Sequence, residues 1–256
     1  MTAITPAEAP LVLRRRAVSV PRYLGMPVAL GLVCVALYRY VSTRELDNIE
    51  ARLLNAAVIR EGFMEHLALV GVSTLIVVGL TVPLGIVLTR PFARPVSATV
   101  LALANIGQVV PSLGVIVLLA ILFTVGFRYA VVALVLYAFL PVLRNTMVGL
   151  QQVDPALLES GRGMGMTRLT LLRRIELPLA VPVVLAGIRT ALTINVGTAT
   201  IGAFTNAGGL GTIIFSGIVQ NRRTVLLTGA VLAAVLALAL DHLAGIAEDL
   251  LRPRGL

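Results

Sequence analysis

The sequence contains no lysine and no tryptophan, and Cys34 is its single cysteine. A P-loop needs a lysine after its glycines to reach the nucleotide phosphates, so the chain is excluded as a standard P-loop ATPase. One cysteine cannot form a disulfide or a cysteine-based metal site within one chain. The two histidines lie far apart in the sequence and no serine stands in a nucleophile elbow, so no catalytic set is expected.

Charged residues are also scarce, at 13%, whereas hydrophobic residues make up 58% and the mean hydropathy is +0.97. A soluble domain of this length could not bury so much apolar surface. Apolar runs long enough to cross a hydrocarbon core of roughly 30 Å recur along the chain. We therefore predict an all-α, polytopic membrane protein with about six transmembrane helices, near residues 23–40, 67–89, 97–124, 129–149, 178–204 and 224–248.

All 21 basic residues are arginine, and they outnumber 12 acidic residues to give a net charge of +9. Nucleic-acid binding would need these arginines on one soluble face beside stacking aromatics, whereas they lie between apolar runs, so no nucleic-acid partner is expected. If the N-terminus is cytoplasmic, the inner segments hold 13 arginines and the outer segments 7. The positive-inside rule then predicts that both termini lie in the cytoplasm.

The predicted spans divide the chain into four parts. These are a cytoplasmic N-terminal segment 1–22, a first helix with an outer connection 23–66, a helical core 67–250 and a cytoplasmic tail 251–256. The first span follows a cluster of arginines, as in a secretory signal, but it ends in Tyr38-Arg39-Tyr40 and not in a small-residue cleavage site. We expect an uncleaved anchor, followed over 41–66 by a surface helix that forms no separate domain.

A polar, glycine-punctuated loop separates the fourth and fifth predicted spans, at about residues 144–177. Asp154-Pro155 predicts the start of a short helix, because aspartate caps free N–H groups and proline suits the first helical position. The glycines at 161, 163 and 165 weaken that helix and predict a turn, with a second helix from about Thr167. Two interpretations follow, an ordinary basic inner loop and a docking segment for a cytoplasmic protein.

The spacing of seven residues in this loop resembles the EAA loop by which bacterial ABC importer permeases dock onto their ATPases. The seven are Glu159, Ser160, Gly161, Gly165, Ile175, Leu177 and Pro178. In the family pattern a glutamate precedes two alanines, whereas here Ser160 and Gly161 follow it, and we expect them to loosen the helix. The resemblance implies a type I ABC importer permease-like fold, with these residues coupling the chain to an ATPase.

The resemblance extends over about residues 67–250 and narrows the substrate class. Segments 109–113, 140–146, 186–190, 196–200 and 207–211 are similar to the osmoprotectant branch, which imports glycine betaine, choline and carnitine. An amino acid or an organosulfonate is the alternative solute, and an ion-driven secondary transporter is the alternative outside the family.

Membership would imply a bacterial cytoplasmic membrane location and several partners. They are a second permease, identical or homologous, two cytoplasmic ATPase subunits and an extracytoplasmic solute-binding protein. ATP and Mg would bind to the ATPase partner, and this chain is expected to bind no cofactor or metal itself.

Several polar residues and prolines fall inside the predicted spans and form a candidate path or gate. They are Pro111, Ser112, Arg189, Asn195, Thr198 and Asp241. Arg189 and Asp241 lie at a similar predicted depth, and two interpretations follow, a charge pair between the two helices and separate snorkelling or contact with other polar groups. Asn195 and Thr198 have two interpretations, lining a translocation path and packing between helices. Pro111-Ser112 predicts a bend. The glycine-rich run at 207–211 indicates an outer helix end or a tight packing point, and the alternative is a part of an outer gate.

Overall fold

A computed structural model gives the structure of residues 20–251, with side chains described from Tyr23 onward. The predicted N-terminal arginines at 14–16 and the predicted tail beyond Leu251 lie outside the described residues. In chain order the described helices are α1 (Val20–Ser42), α2 (Asn48–Leu53), α3 (Ala56–Leu88), α4 (Arg94–Val109), α5 (Ser112–Leu122), α6 (Phe127–Gln151), α7 (Pro155–Gly163), α8 (Arg168–Leu171), α9 (Leu177–Ile201), α10 (Leu210–Val219) and α11 (Arg223–Leu251). Short 3-10 turns cover Pro91–Ala93 and Gly202–Thr205, and a π-helical segment covers Leu172–Glu176.

Five helices of the described chain are long and apolar enough to cross a membrane, namely α1, α3, α6, α9 and α11. They confirm five of the predicted spans. The second of them differs at its start, because α3 begins at Ala56 and not near residue 67. Its 33 residues extend roughly 50 Å, more than a hydrocarbon core needs, so its first turns protrude with Arg60, Glu61 and Glu65.

The predicted third span, 97–124, is not one straight helix. α4 and α5 meet at 93° across Val110 and Pro111. Val110 is extended because a following proline disfavours helical backbone. The Tyr137 hydroxyl on α6 donates to the Val110 carbonyl oxygen, and the Gln108 amide donates to the Tyr137 carbonyl oxygen. The predicted bend is therefore present, and the described residues contain six spans when α4 with α5 is counted as one broken span.

α9 lies at the centre of the bundle, packed against α3, α6 and α11. Its approach to α6 is close at Gly187, where an added β-carbon would lie 2.6 Å from the Asn145 Cβ. Small residues at such crossings let membrane helices gain van der Waals contact. By contrast, α1 packs mainly on α11 and exposes most of its surface.

The outer connection between α1 and α3 contains α2, whose first turn is fixed by a capping box. The Asp47 carboxylate accepts from the backbone N–H groups of Ile49 and Glu50, and the Glu50 side chain accepts from the Asp47 N–H. Asp47 also forms an ion pair of 2.5 Å with Arg222, in the turn between α10 and α11. These contacts join the connection between α1 and α3 to the turn between α10 and α11.

Candidate coupling site and membrane interior

The predicted helix after Asp154-Pro155 is present as α7. Asp154 caps it by accepting a 2.8 Å hydrogen bond from the Ala156 N–H, and Pro155 occupies the first turn. Glu159 and Ser160 lie on this helix with exposed side chains. The first two positions of the candidate coupling motif are therefore presented to the surface.

The turn that ends α7 contains Gly165, whose φ of +79° lies in the left-handed region that favours glycine. The Met166 N–H donates to the Gly161 carbonyl, and the Gly165 N–H donates to the Arg162 carbonyl. This pair of bonds is a Schellman motif, which satisfies carbonyls left free at a helix end. Thr167 then caps α8, so the predicted helix, turn and second helix are confirmed.

Gly161 is buried, and α8 and the π-helical segment pack directly against it. A β-carbon at this position would lie 2.6 Å from Leu171 Cδ1 and 3.1 Å from Ile175 Cδ1. We expected a glycine here to loosen the helix. In the structure it also lets α7 approach Leu171 and Ile175 closely, so the motif folds into one packed unit.

The π-helical segment Leu172–Glu176 joins this unit to α9. Its wide turn closes with a bond from the Leu177 N–H to the Leu172 carbonyl. Pro178 has no N–H for the Arg174 carbonyl, and its ring would crowd that carbonyl in a regular α-helix. The widened turn relieves the conflict, and such segments frequently occur at functional sites. Leu177 and Pro178 are half-buried in the first turn of α9.

Glu176, between Ile175 and Leu177 in the motif, is a residue that the sequence reasoning missed. It is 6% exposed, and its carboxylate accepts from both terminal nitrogens of Arg90, at 3.1 and 2.5 Å. Arg90 Nε also donates to the Ile86 carbonyl at the end of α3. An acidic residue inside an apolar tetrapeptide is a signal in the sequence, but its partner lies 86 residues away.

The exposed surface of the α7–α8 unit carries both apolar and basic side chains. Leu157, Met164 and Leu169 expose 46%, 70% and 56% of their surface. Exposed arginines lie among them, at Arg162, Arg168, Arg173 and Arg174. A cavity of about 770 Å³ separates the unit from residues 90–92. Large exposed apolar side chains outside the spans indicate a protein contact surface.

Within the spans, the predicted pair of Arg189 and Asp241 is confirmed. Arg189 Nε and Nη2 donate to the two carboxylate oxygens of Asp241 at 2.5 and 2.6 Å, which joins α9 to α11. Glu248 lies 3.9 Å from the same guanidinium. A planar, bidentate pair of this kind compensates two charges that would be costly if unpaired in a membrane.

Asn195 and Thr198 lie on the packed side of α9. Asn195 is fully buried, and its amide donates to Ser73 Oγ at 3.0 Å and Thr74 Oγ1 at 3.1 Å on α3. Thr198 is also buried. These positions correspond to the packing interpretation, and their role in a path stays a prediction.

The exposed face of α9 has an unusual composition that the sequence reasoning missed. It carries Thr190, Thr193 and Gly197, with Thr200 partly exposed along the same helical row. No large hydrophobic side chain of Leu177–Ile201 is exposed, whereas α3, α6 and α11 each expose several. A face of hydroxyls and glycine inside a span suits a protein partner or a water-filled path better than lipid.

A contact at the glycine-rich run joins the start of α10 to α3. Gly208 and Gly209 have φ of +84° and +88°, and the Gly209 N–H donates to Glu65 Oε2 on α3 at 2.8 Å. The neighbouring His66 is fully buried and bonds through Nε2 to the Val196 carbonyl. α10 therefore begins against α3 and α9, and this run forms a closely packed helix start.

Within the described residues no group of three or more histidine, cysteine or acidic side chains could hold a metal ion. The chemistry of the described sites consists of contact surfaces, ion pairs and hydrogen bonds.

Several known proteins are similar to this chain. A carnitine transport permease protein, OpuCD, of Listeria monocytogenes is 40% identical over 200 residues, 78% of this chain and 89% of that protein. A choline transport system permease protein, OpuBB, of Bacillus subtilis is 41% identical over 192 residues, 75% and 88% of the two chains. An osmoprotectant import permease protein, OsmY, of Salmonella typhimurium is 37% identical over 222 residues, 87% and 92%.

Solved structures show the same architecture. An inward-facing conformation of the MetNI methionine ABC transporter matches with a TM-score of 0.70 and 25% identity, covering 81% of this chain and all of that chain. An amino acid ABC transporter matches in fold, with a TM-score of 0.64 and coverage of 80% and 99%. Residues 81–255 match the family described as binding-protein-dependent transport system inner membrane component. The chain, a multi-pass membrane protein of the type I ABC importer permease fold, therefore belongs to this family of transport permeases.

Proposed function

We propose that this chain is the permease subunit of an ATP-driven importer for osmoprotectants such as glycine betaine, choline or carnitine. The observation that carries the proposal is the coupling unit, in which Asp154, Gly161 and Gly165 fold α7 so that Glu159 is presented at the surface. The relatives named as carnitine, choline and osmoprotectant permeases support the substrate class.

ATP is hydrolysed by a partner, since this chain has no P-loop lysine. The exposed Leu157, Met164 and Leu169 give the coupling unit an apolar surface that fits a groove on an ATPase subunit, with Glu159 and the nearby arginines as its polar rim. Two ATPase subunits then act on two permeases, so that closure of the ATPase pair displaces both copies of α7.

The translocation path runs along the exposed face of α9. Thr190 and Thr193 use their hydroxyl hydrogens on their own helix, which leaves oxygen lone pairs directed outward. Gly197 leaves open space beside them. A second permease with a matching α9 would enclose a path between the two faces. The Arg189–Asp241 pair and the bend at Pro111-Ser112 flank α9 and position it.

Selectivity resides mainly in a separate extracytoplasmic solute-binding protein. Quaternary ammonium groups are commonly held by aromatic cages, and this chain has only 7 Phe, 5 Tyr and no Trp. The pairs that the structure forms, Phe204 with Phe215 and Phe123 with Tyr129, are two rings each and form no cage. The permease supplies the path and the gate.

The test is ATP-dependent uptake of radiolabelled glycine betaine, choline and carnitine by vesicles that contain the chain, its ATPase and its binding protein. Glu159→Lys places the wrong charge on the coupling surface and should abolish uptake of the transported solute. Glu45→Lys makes the same change at an exposed position on the opposite side and should leave uptake unchanged. Equal uptake by all three proteins would refute the coupling assignment, and ATP-dependent uptake of none of the three solutes by the parent protein would refute the substrate class.

A further inference from the structure

The ion pair between Arg90 and Glu176 joins a residue outside the coupling motif, Arg90, to one that lies between two motif positions, Glu176. Both carboxylate oxygens of Glu176 are bound, and the third guanidinium nitrogen of Arg90 is bound to the Ile86 carbonyl. Arg90 is thereby fixed to the end of α3, while Glu176 is fixed in the π-helical segment before α9. The side chain of Glu176 is 7% exposed and that of Arg90 is 29% exposed. Solvent therefore screens this pair less than an exposed one.

The pair completes a continuous series of contacts from α7 to α3. Gly161 on α7 packs on Ile175, the next residue is Glu176, and Glu176 holds Arg90 beside the end of α3. Each contact is between packed or doubly hydrogen-bonded groups, which move together more readily than groups across solvent. On the other side of the π-helical segment, Leu177 and Pro178 continue directly into α9. Displacement of α7 therefore reaches α9 through the covalent chain and α3 through the ion pair.

We propose that Arg90 and Glu176 are a positioning pair, which makes α3 follow the coupling unit together with α9 during the transport cycle. This inference rests on the proposed function, since it presupposes that α7 is displaced by an ATPase. Arg90 lies outside the motif. We assign to it a role in transmitting movement to α3 and no role in docking the ATPase. The two side chains remain joined throughout the cycle.

Reconstituted complexes carrying Arg90→Gln or Glu176→Gln test this assignment. Uptake should fall by about tenfold, a size typical of coupling between sites, while ATP hydrolysis and copurification of the ATPase persist. The ratio of ATP hydrolysed to solute imported should rise accordingly. Arg94→Gln is the matched control, because Arg94 is an exposed arginine four residues further on, and the ion pair of Glu176 is with Arg90. The charge exchange Arg90→Glu with Glu176→Arg should restore part of the uptake.

A second measurement covers the case in which the single variants fold poorly. In a Cys34→Ser background, cysteines at positions 90 and 176 are joined by a short bifunctional thiol reagent. Because the proposal keeps the two positions together, uptake should survive cross-linking. Loss of uptake on cross-linking, or single variants with an unchanged ratio of ATP to solute, would overturn the proposal. ATPase copurification in Glu159→Lys tests docking, whereas the ratio of ATP to solute in Arg90→Gln tests the positioning pair, so the failure of either is observed separately.

Discussion

At the scale of single residues, the coupling unit depends on two glycines with different tasks. Gly165 adopts a backbone conformation that most side chains resist, whereas Gly161 leaves room for Leu171 and Ile175. The capping by Asp154 and the turn after α7 were predictable from the sequence, because they depend on neighbours within a few residues. The burial of Gly161 was not, since it depends on side chains from the following segment.

Gly165→Val should loosen the end of α7. A β-branched residue in the left-handed region costs about 1–2 kcal/mol, whereas asparagine adopts this conformation more readily. Amide hydrogen exchange at Met166, whose N–H closes the Schellman motif, should therefore accelerate by about tenfold for each 1.4 kcal/mol in the valine variant. Gly165→Asn serves as the control and should change this rate much less. Equal rates in both variants would contradict the assigned role of the left-handed turn.

The acidic cap of α2 gives a pH prediction. The hydrogen bond from the Glu50 N–H holds the pKa of Asp47 below its usual value, and the Arg222 charge and the Ile49 N–H lower the pKa further. A depressed carboxyl pKa stabilises the folded state above the unfolded pKa, and this contribution is lost as the pH falls through the lower folded value. Protection of α2 amides should thus stay constant from pH 8 to about 5 and fall below about 4.

Asp47→Asn separates the charge of this cap from its hydrogen bonds. The asparagine still accepts from the N–H groups of the first turn but cannot pair with Arg222. Its α2 amides should exchange faster than those of the parent protein at neutral pH, with no step in protection near pH 4. A step that persists in the variant would show that another group titrates.

At the scale of helices, the break between α4 and α5 is stabilised from outside by Tyr137. Pro111 made the bend predictable, but its angle of 93° depends on a hydroxyl that comes from α6. The pair of Glu176 and Arg90 was not predictable either, because the two residues are distant in sequence. By contrast, Arg189 and Asp241 were predictable across 52 residues because helical rise places both at one depth.

Tyr137→Phe should weaken the bend without removing the aromatic ring from the core. It leaves the Val110 carbonyl without its side-chain donor, a loss of about 1 kcal/mol for a typical hydrogen bond. The thermal unfolding temperature of the purified protein should fall, and spin labels on α4 and α5 should report a broader distance distribution. Tyr129→Phe is the matched control, since Tyr129 stacks on Phe123 and its ring is retained. A distance distribution as narrow in the Tyr137 variant as in the parent protein would contradict the stabilisation of the bend by Tyr137.

At the scale of the whole molecule, the distribution of arginines predicts which ends of the helices face the cytoplasm. The five long helices and the broken pair give an even number of crossings for the described chain, and the coupling unit lies at the end with more arginines. The number and order of the spans followed from hydropathy alone. Hydropathy did not predict which face of each helix is packed. The helices around α9 include earlier segments of the chain, α3 and α6, and a later one, α11.

Single cysteines can test this orientation, since Cys34 is the only one to remove. In a Cys34→Ser background, Glu45→Cys should react with a membrane-impermeant maleimide on intact cells. Met164→Cys, at a strongly exposed position of the coupling unit, should react only after the membrane is permeabilised. The reverse pattern would place the coupling unit outside and exclude contact with a cytoplasmic ATPase.

The continuity of α3 has a mechanical consequence. From Glu65, which holds the Gly209 N–H, to Leu88 beside Arg90, the helix runs without interruption for roughly 35 Å at about 1.5 Å per residue. As a lever pivoting at its inner end, such a rod converts a tilt of about 5° into roughly 3 Å of travel at Glu65. That travel equals the length of the 2.8 Å bond it would have to open. A tilt of α3 by this angle would therefore separate the Glu65 carboxylate from the Gly209 N–H.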